Sequence, residues 1–116
     1  MFNLYDQLGS PVAYSDDSQH IFLFSGEPAA YLLNDSIYDY SGKHLGWYQN
    51  GWVLDHNGEH VYFTENSVGG PLKPLKALKP LKNIKSILPI KGVPEIQPIR
   101  PIRSLSWAQI SGADFF

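Results

Sequence analysis

Leu or Ile, once Val, stands at every third position of the C-terminal part of the chain without a miss: Leu72, Leu75, Leu78, Leu81, Ile84, Ile87, Ile90, Val93, Ile96, Ile99, Ile102 and Leu105. A strand returns to the same face every two residues and an α-helix every 3.6, so neither backbone aligns this stripe. Polyproline II has three residues per turn and aligns all twelve. Pro71, Pro74, Pro80, Pro89, Pro94, Pro98 and Pro101 lie in the same stretch. They fix φ, remove N–H donors and push the residue before each of them out of the α region. The expectation is an extended, polyproline II-like tail over residues 69–106, with the twelve apolar residues on one face and Lys73, Lys76, Lys79, Lys82 and Lys85 on another.

Composition divides the chain at the same place. Residues 1–70 hold nine acids and one base, Lys43, for a charge of −8; residues 71–116 hold eight bases and two acids, for +6. Thirteen of the sixteen aromatic residues lie in the first part, so an acidic, aromatic head carries a basic, proline-rich tail. There is no cysteine, which excludes disulfides and thiolate chemistry. No apolar run reaches transmembrane length and no basic-plus-apolar leader opens the chain. A cytoplasmic location is therefore expected, with export by a leaderless route as the alternative.

The head repeats. An apolar residue is followed five positions later by Gly and five after that by an aromatic: Leu4–Gly9–Tyr14, Ile21–Gly26–Tyr31, Ile37–Gly42–Trp47 and Val53–Gly58–Phe63. Each copy alternates apolar and polar residues around the glycine, the pattern of a β-hairpin. Two positions after the apolar start stand Asp6, Leu23, Asp39 and Asp55; an aspartate there accepts turn N–H bonds. The chain opens inside a copy, while the copy ending at Phe63 has no following apolar strand. The expected fold is all-β: four hairpins in a closed pseudo-four-fold ring, with the N-terminal strand completing the last repeat so that no sheet edge is left bare.

The segments GSPVAY, GEPAAY, IYDYSGKHLGW, GWVLDHNGEHVYF and TENSVGGP, the P-L-K triplets that follow and Ser104-Leu105-Ser106-Trp107 together resemble the bacterial four-fold beta flower family. The resemblance covers nearly the whole chain and implies a four-fold β head. It brings no activity and no catalytic residues with it. Leu23, where the other copies have Asp, departs from a uniform ring of carboxylates.

Function is expected to lie in assembly. A straight tail of ~110 Å outreaches a 70-residue head of ~11 Å radius of gyration, and a stripe this long exceeds the apolar patch expected on a soluble monomer. Another tail, a neighbouring head or the same tail folded back near Gly92 would cover it. The leading reading is a structural or interaction protein that self-associates, as a homo-oligomer or filament. The runner-up is a binding module whose tail contacts an acidic protein or nucleic acid. The lysines either solvate the rod or dock on the acidic head, with Asp6, Asp39 and Asp55 as the equivalent turn carboxylates. Tyr14, Tyr31, Trp47 and Phe63 read as packing residues or as a groove for proline rings. His44 and His60 are equivalent repeat positions. No nucleophile elbow, phosphate loop or metalloprotease motif is present, so neither enzymatic activity nor a cofactor or metal is expected. Domain bounds follow as a head over 1–68, a tail over 69–106 and a short anchor over 107–116 that carries Trp107, Phe115 and Phe116.

Overall fold

The computed structural model describes all 116 residues. Eight strands form a closed antiparallel barrel in chain order: β1 (Phe2–Tyr5), β2 (Pro11–Ser15), β3 (His20–Leu23), β4 (Pro28–Leu33), β5 (Ser36–Tyr38), β6 (His44–Gln49), β7 (Trp52–Leu54) and β8 (His60–Phe63). There is no α-helix, and so none long and apolar enough to cross a membrane. β1 pairs with β2 along its length and with β8 through Tyr5 opposite Phe63, which closes the barrel.

Register explains how two residue types sort to two faces. Leu4, Ile21, Ile37 and Val53 stand opposite Ala13, Ala30, Gly46 and Tyr62. The four large residues are fully buried and share one core cluster. Small partners on three sides make room, and on the fourth Tyr62 reaches across to the C-terminus, its ring 5.6 Å from Phe116 and 5.7 Å from Phe115. Just beyond each of those pairs the register slips, at Leu4/Tyr5, Ile21/Phe22, Ile37/Tyr38 and Val53/Leu54. Such bulges bend a strand and raise its twist, which closure of short strands requires.

The neighbouring positions form a second circuit on the outer wall. Tyr14 pairs with Phe22, Tyr31 with Tyr38, Trp47 with Leu54 and Phe63 with Tyr5. The stacked rings lie 6.1, 5.8 and 5.4 Å apart in the three all-aromatic pairs. Tyr14, Tyr31, Trp47 and Phe63 are each buried although they face away from the barrel interior, because the tail lies over them.

The tail leaves β8 through Gly69 and Gly70 and passes the β1–β2, β3–β4, β5–β6 and β7–β8 turns in order before returning to His60. Residues 71–104 carry neither strand nor helix. The molecule is a disc of 36 × 36 × 21 Å. The expectation that the tail outreaches its own head held only for a straight rod; the tail is curved, and encirclement lets it lie on the head throughout. Residues 108–116 then turn inward. Ala108 and Phe115 join the barrel core, Tyr62 donates to the Gly112 carbonyl at 2.6 Å, and Gly112 N–H donates to Asp6 at 2.9 Å.

Candidate interaction surface

The four turns are built alike. Asp6 Oδ1 accepts the N–H groups of Leu8 and Ser10, Asp39 Oδ1 those of Ser41 and Lys43, and Asp55 Oδ1 those of Asn57 and Glu59, all at 2.9–3.1 Å. At the second turn Leu23 supplies no carboxylate, and Ser25 Oγ accepts from Glu27 N–H at a longer 3.4 Å. Each turn ends on a glycine with positive φ: 80° at Gly9, 94° at Gly26, 98° at Gly42 and 76° at Gly58. The glycines are needed twice over. A side chain there would be strained by its backbone, and its Cβ would fall 2.0–2.6 Å from the carbonyl oxygens of Leu75, Ile84, Val93 and Ile102 in the tail.

Those four tail residues are spaced by nine. So are Ala77, Ser86, Glu95 and Ser104, which donate N–H to the carbonyls of the same glycines at 2.9, 2.9, 2.7 and 2.9 Å. Asn83 and Gly92, also nine apart, donate to Phe24 and Tyr40. These six residues share one phase of the triplet, and every other residue of that phase from 71 to 104 is proline: Pro71, Pro74, Pro80, Pro89, Pro98 and Pro101. Where the head offers a carbonyl, the tail has an N–H; elsewhere it has proline. The tail is thus four nine-residue units, PLKPLKALK, PLKNIKSIL, PIKGVPEIQ and PIRPIRSLS. The strict triplet stripe hides this longer period, and its signal was the recurrence of Pro71, Pro80, Pro89 and Pro98.

The second phase carries the cations onto the outer aromatic circuit. Lys82 lies 4.2 Å from the Tyr14 ring centroid, Lys91 4.3 Å from Tyr31 and Arg100 5.5 Å from Trp47, again at intervals of nine. The fourth equivalent, Lys73, instead donates to the Ser67 carbonyl, and Trp107 packs 6.1 Å from Phe63. Lys76 sits 5.8 Å from Tyr5, and Lys85 4.9 Å from Phe22. Such contacts are worth ~0.5–1 kcal/mol each at exposed sites.

The carboxylates that meet the tail are Asp16 and Asp35. Asp16 binds both Lys82 and Lys85, at 3.2 and 2.8 Å, and Asp35 binds Arg100 at 2.5 Å. The Lys85 hydrogen bond leads in holding the Asp16 carboxyl below its ordinary range. Asp6, Asp39 and Asp55 are not the docking partners that their shared position suggested. Turn amides occupy the Oδ1 atom of each, while Asp16 and Asp35 stand in the strand connections beside the track. Lys79 lies on the same face, exposed.

The third phase points away from both the turns and the aromatic wall. From Leu72 to Ile102 the stripe residues are 90–96% exposed, and Leu105 is 71% exposed. Within the single chain nothing covers them, neither a returning tail nor the head.

One further cluster joins head and tail. His44 is buried, with Nδ1 2.9 Å from His56 Nε2 and Nε2 3.2 Å from Ser36 Oγ. Its backbone N–H donates to Glu95 Oε1 of the tail at 2.7 Å. Burial, with His56 and Arg100 nearby, lowers the His44 pKa. The repeat pairs His44 with His60, but the structure sets His44 against His56 of the next turn. His60 packs on Trp52, with Nδ1 facing the Ser106 carbonyl.

The model of the 4-fold beta flower protein family matches residues 3–116. The chain belongs to that family. No curated protein and no solved structure matches it.

Proposed function

Starting from a 4-fold beta flower protein, we propose a structural protein, without catalytic activity, that self-associates through the apolar ring its tail displays. In this reading the four hairpins are copies of one unit and the tail is a polyproline II girdle. At ~3.1 Å per residue its 34 residues run to ~105 Å, close to the circumference of a disc 36 Å across. The period of three then sends one residue of each triplet to the turns, one to the aromatic wall and one outward.

The exposure of the twelve stripe residues carries the reading. Burying one such side chain removes ~60–120 Å² of apolar surface and is worth ~1.5–3 kcal/mol. Covering all twelve on each of two copies would bury roughly 1,400–2,900 Å², the range of stable protein interfaces. The tail's cations support the same choice of partner. Lys82, Lys85 and Arg100 are engaged by Asp16 and Asp35, and the chain as a whole is acidic, at −2. That net acidity disfavours an acidic protein or nucleic acid as the partner, although five of the tail's eight cations have no carboxylate partner.

Solution mass tests it. Light scattering at two protein concentrations should give a mass above the 13.1 kDa chain, rising with concentration and holding at ~1 M salt, where charge pairs are screened. The triple variant Leu78→Ser, Ile87→Ser, Ile96→Ser should return the mass to that of the monomer. A wild-type monomer at every concentration sinks the proposal, and salt-sensitive DNA binding would favour the tail as a ligand-binding arm.

A further inference from the structure

We infer that the outer circuit of the head is an exchangeable peptide-binding site, specific for a basic, proline-rich segment of nine-residue period, and that it takes the tail of a second copy as well as its own. The apolar ring plays no part in this. The site is made of the positive-φ glycines, their carbonyls, the buried aromatic rings and Asp16 and Asp35, all on the side of the tail away from the stripe.

Three observations carry it. First, the contacts are those by which extended peptides are recognised, backbone hydrogen bonds for register and aromatic faces for the cations; only the anchor beyond them enters the core, through Ala108 and Phe115, and an exchanging tail brings its own copy of both. From Pro71 to Ser104 the tail adds nothing to the buried apolar residues.

Second, the site reads a pattern. Six N–H groups of the segment bond the head, and they belong to the six residues of their phase that are not proline. Proline at Ala77, Ser86, Glu95 or Ser104 would leave a glycine carbonyl without its partner and bring a ring toward the turn. Proline at the other six positions presets φ and leaves no unpaired donor. A ligand is therefore defined by triplets with a central apolar residue, many of them basic at the third position, that open with proline except where the head offers a carbonyl: at every third triplet and at those of Asn83 and Gly92.

Third, the main contacts recur along the tail: all four units bond a turn glycine, and three lay a cation on an aromatic ring. A tail without internal repetition would have to leave the head as a whole before another could enter. Here an incoming tail can remake the contacts of one hairpin after the resident unit has released it, and advance nine residues at a time. The resident tail is joined to the head through Gly69 and Gly70, both at positive φ. The environment of Gly69 is open, with only the Arg103 guanidinium near an added Cβ.

The test uses the full-length chain with a protease site inserted after Gly69, folded and then cut. The released segment should stay with the head through gel filtration, and a fluorescent peptide of residues 70–116 in excess should replace it. The same peptide carrying Ala77→Pro, Ser86→Pro, Glu95→Pro and Ser104→Pro should compete at least ~tenfold more weakly, since each substitution removes an N–H that bonds a turn glycine carbonyl. A peptide carrying Leu78→Ser, Ile87→Ser and Ile96→Ser should compete as well as the parent, which separates this site from the apolar ring. No uptake of the parent peptide, or equal competition by the proline-bearing one, overturns the inference. Should the insertion block folding, the labelled peptide mixed with the unmodified protein decides: saturable uptake, displaced by unlabelled parent peptide but not by the proline-bearing one, supports it, and no uptake overturns it.

Discussion

Barrel and tail share one circuit of four stations but are held by different forces. The barrel encloses its apolar residues: Leu4, Ile21, Ile37 and Val53 have no exposed surface. The tail turns its apolar residues outward and attaches through six N–H groups and a row of cations. Burial is non-directional and tolerates variation in shape, so the barrel accepts Ala13, Ala30, Gly46 or Tyr62 at corresponding places. Hydrogen bonds are directional, so the tail has no such latitude in where proline may fall. Hydrophobic content and structural role need not coincide. The most regular apolar pattern in the sequence contributes nothing to the core of the isolated chain.

The largest effect should come from opening the barrel itself. Removing residues 1–8 takes away β1, the buried Leu4 and the partner of Phe63, and exposes two strand edges. Loss of the cooperative melt by circular dichroism, or aggregation, is expected. An unchanged melting curve would show that the sheet does not depend on closure.

A smaller change should separate the two parts. Gly26→Val places a β-branched residue at φ 94° and a Cβ 2.1 Å from the Ile84 carbonyl. The backbone cost is ~1–2 kcal/mol, and the clash falls on the tail. Limited proteolysis should then cut near Ile84 while the β-sheet spectrum persists. Loss of barrel and tail together would mean that the tail is integral to the barrel and that the two parts are not held independently.

Acid should act more gently still. The pKa of His44 lies below the ordinary ~6.5 because of burial, the neighbouring His56 and Arg100, opposed by Glu95 and Asp35. Burial and Arg103 lower that of His60, opposed by the Ser106 carbonyl and Asp55. The unfolded chain therefore takes up these protons first as pH falls. Stability is full above ~6.5 and declines below it, so the melting temperature at pH 5 should lie under that at pH 7.5. His44→Gln should flatten the slope between those values; an unaltered slope would show that His44 contributes nothing to it.

Much of the barrel could be read from spacing alone. Apolar residues alternating with polar ones around a glycine turn point to an all-β antiparallel head, and the structure closes its eight strands into a barrel. The placement of the tail was less legible. Charge segregation pointed the lysines toward the head but not toward Asp16 and Asp35, since Asp6, Asp39 and Asp55 share a repeat position while the actual partners sit between repeats. The nine-residue unit is invisible to hydropathy because its marker is the presence or absence of an N–H. Ala77, Ser86, Glu95 and Ser104 have no side-chain property in common; what they share is not being proline. The pairing of His44 with His56 likewise crosses from one hairpin to the next, and a repeat read along the chain does not show it.

Both ends of the tail fasten at the same place. Gly70 lies against Trp52 and His60, Arg103 reaches Gly69, and Ser106 and Ala108 exchange hydrogen bonds with His60. Beside this clasp runs the seam of the barrel, where β1 and β8 share a single residue pair, Tyr5 with Phe63, and Trp107 covers Phe63. Mechanically this is a hoop around staves. A strap whose φ angles are fixed by seven prolines stretches little, so the strands cannot splay without slack, and slack can come only from the clasp. Load that widens the disc is thereby concentrated at β8, and the thinnest join in the wall lies directly beneath the buckle that guards it.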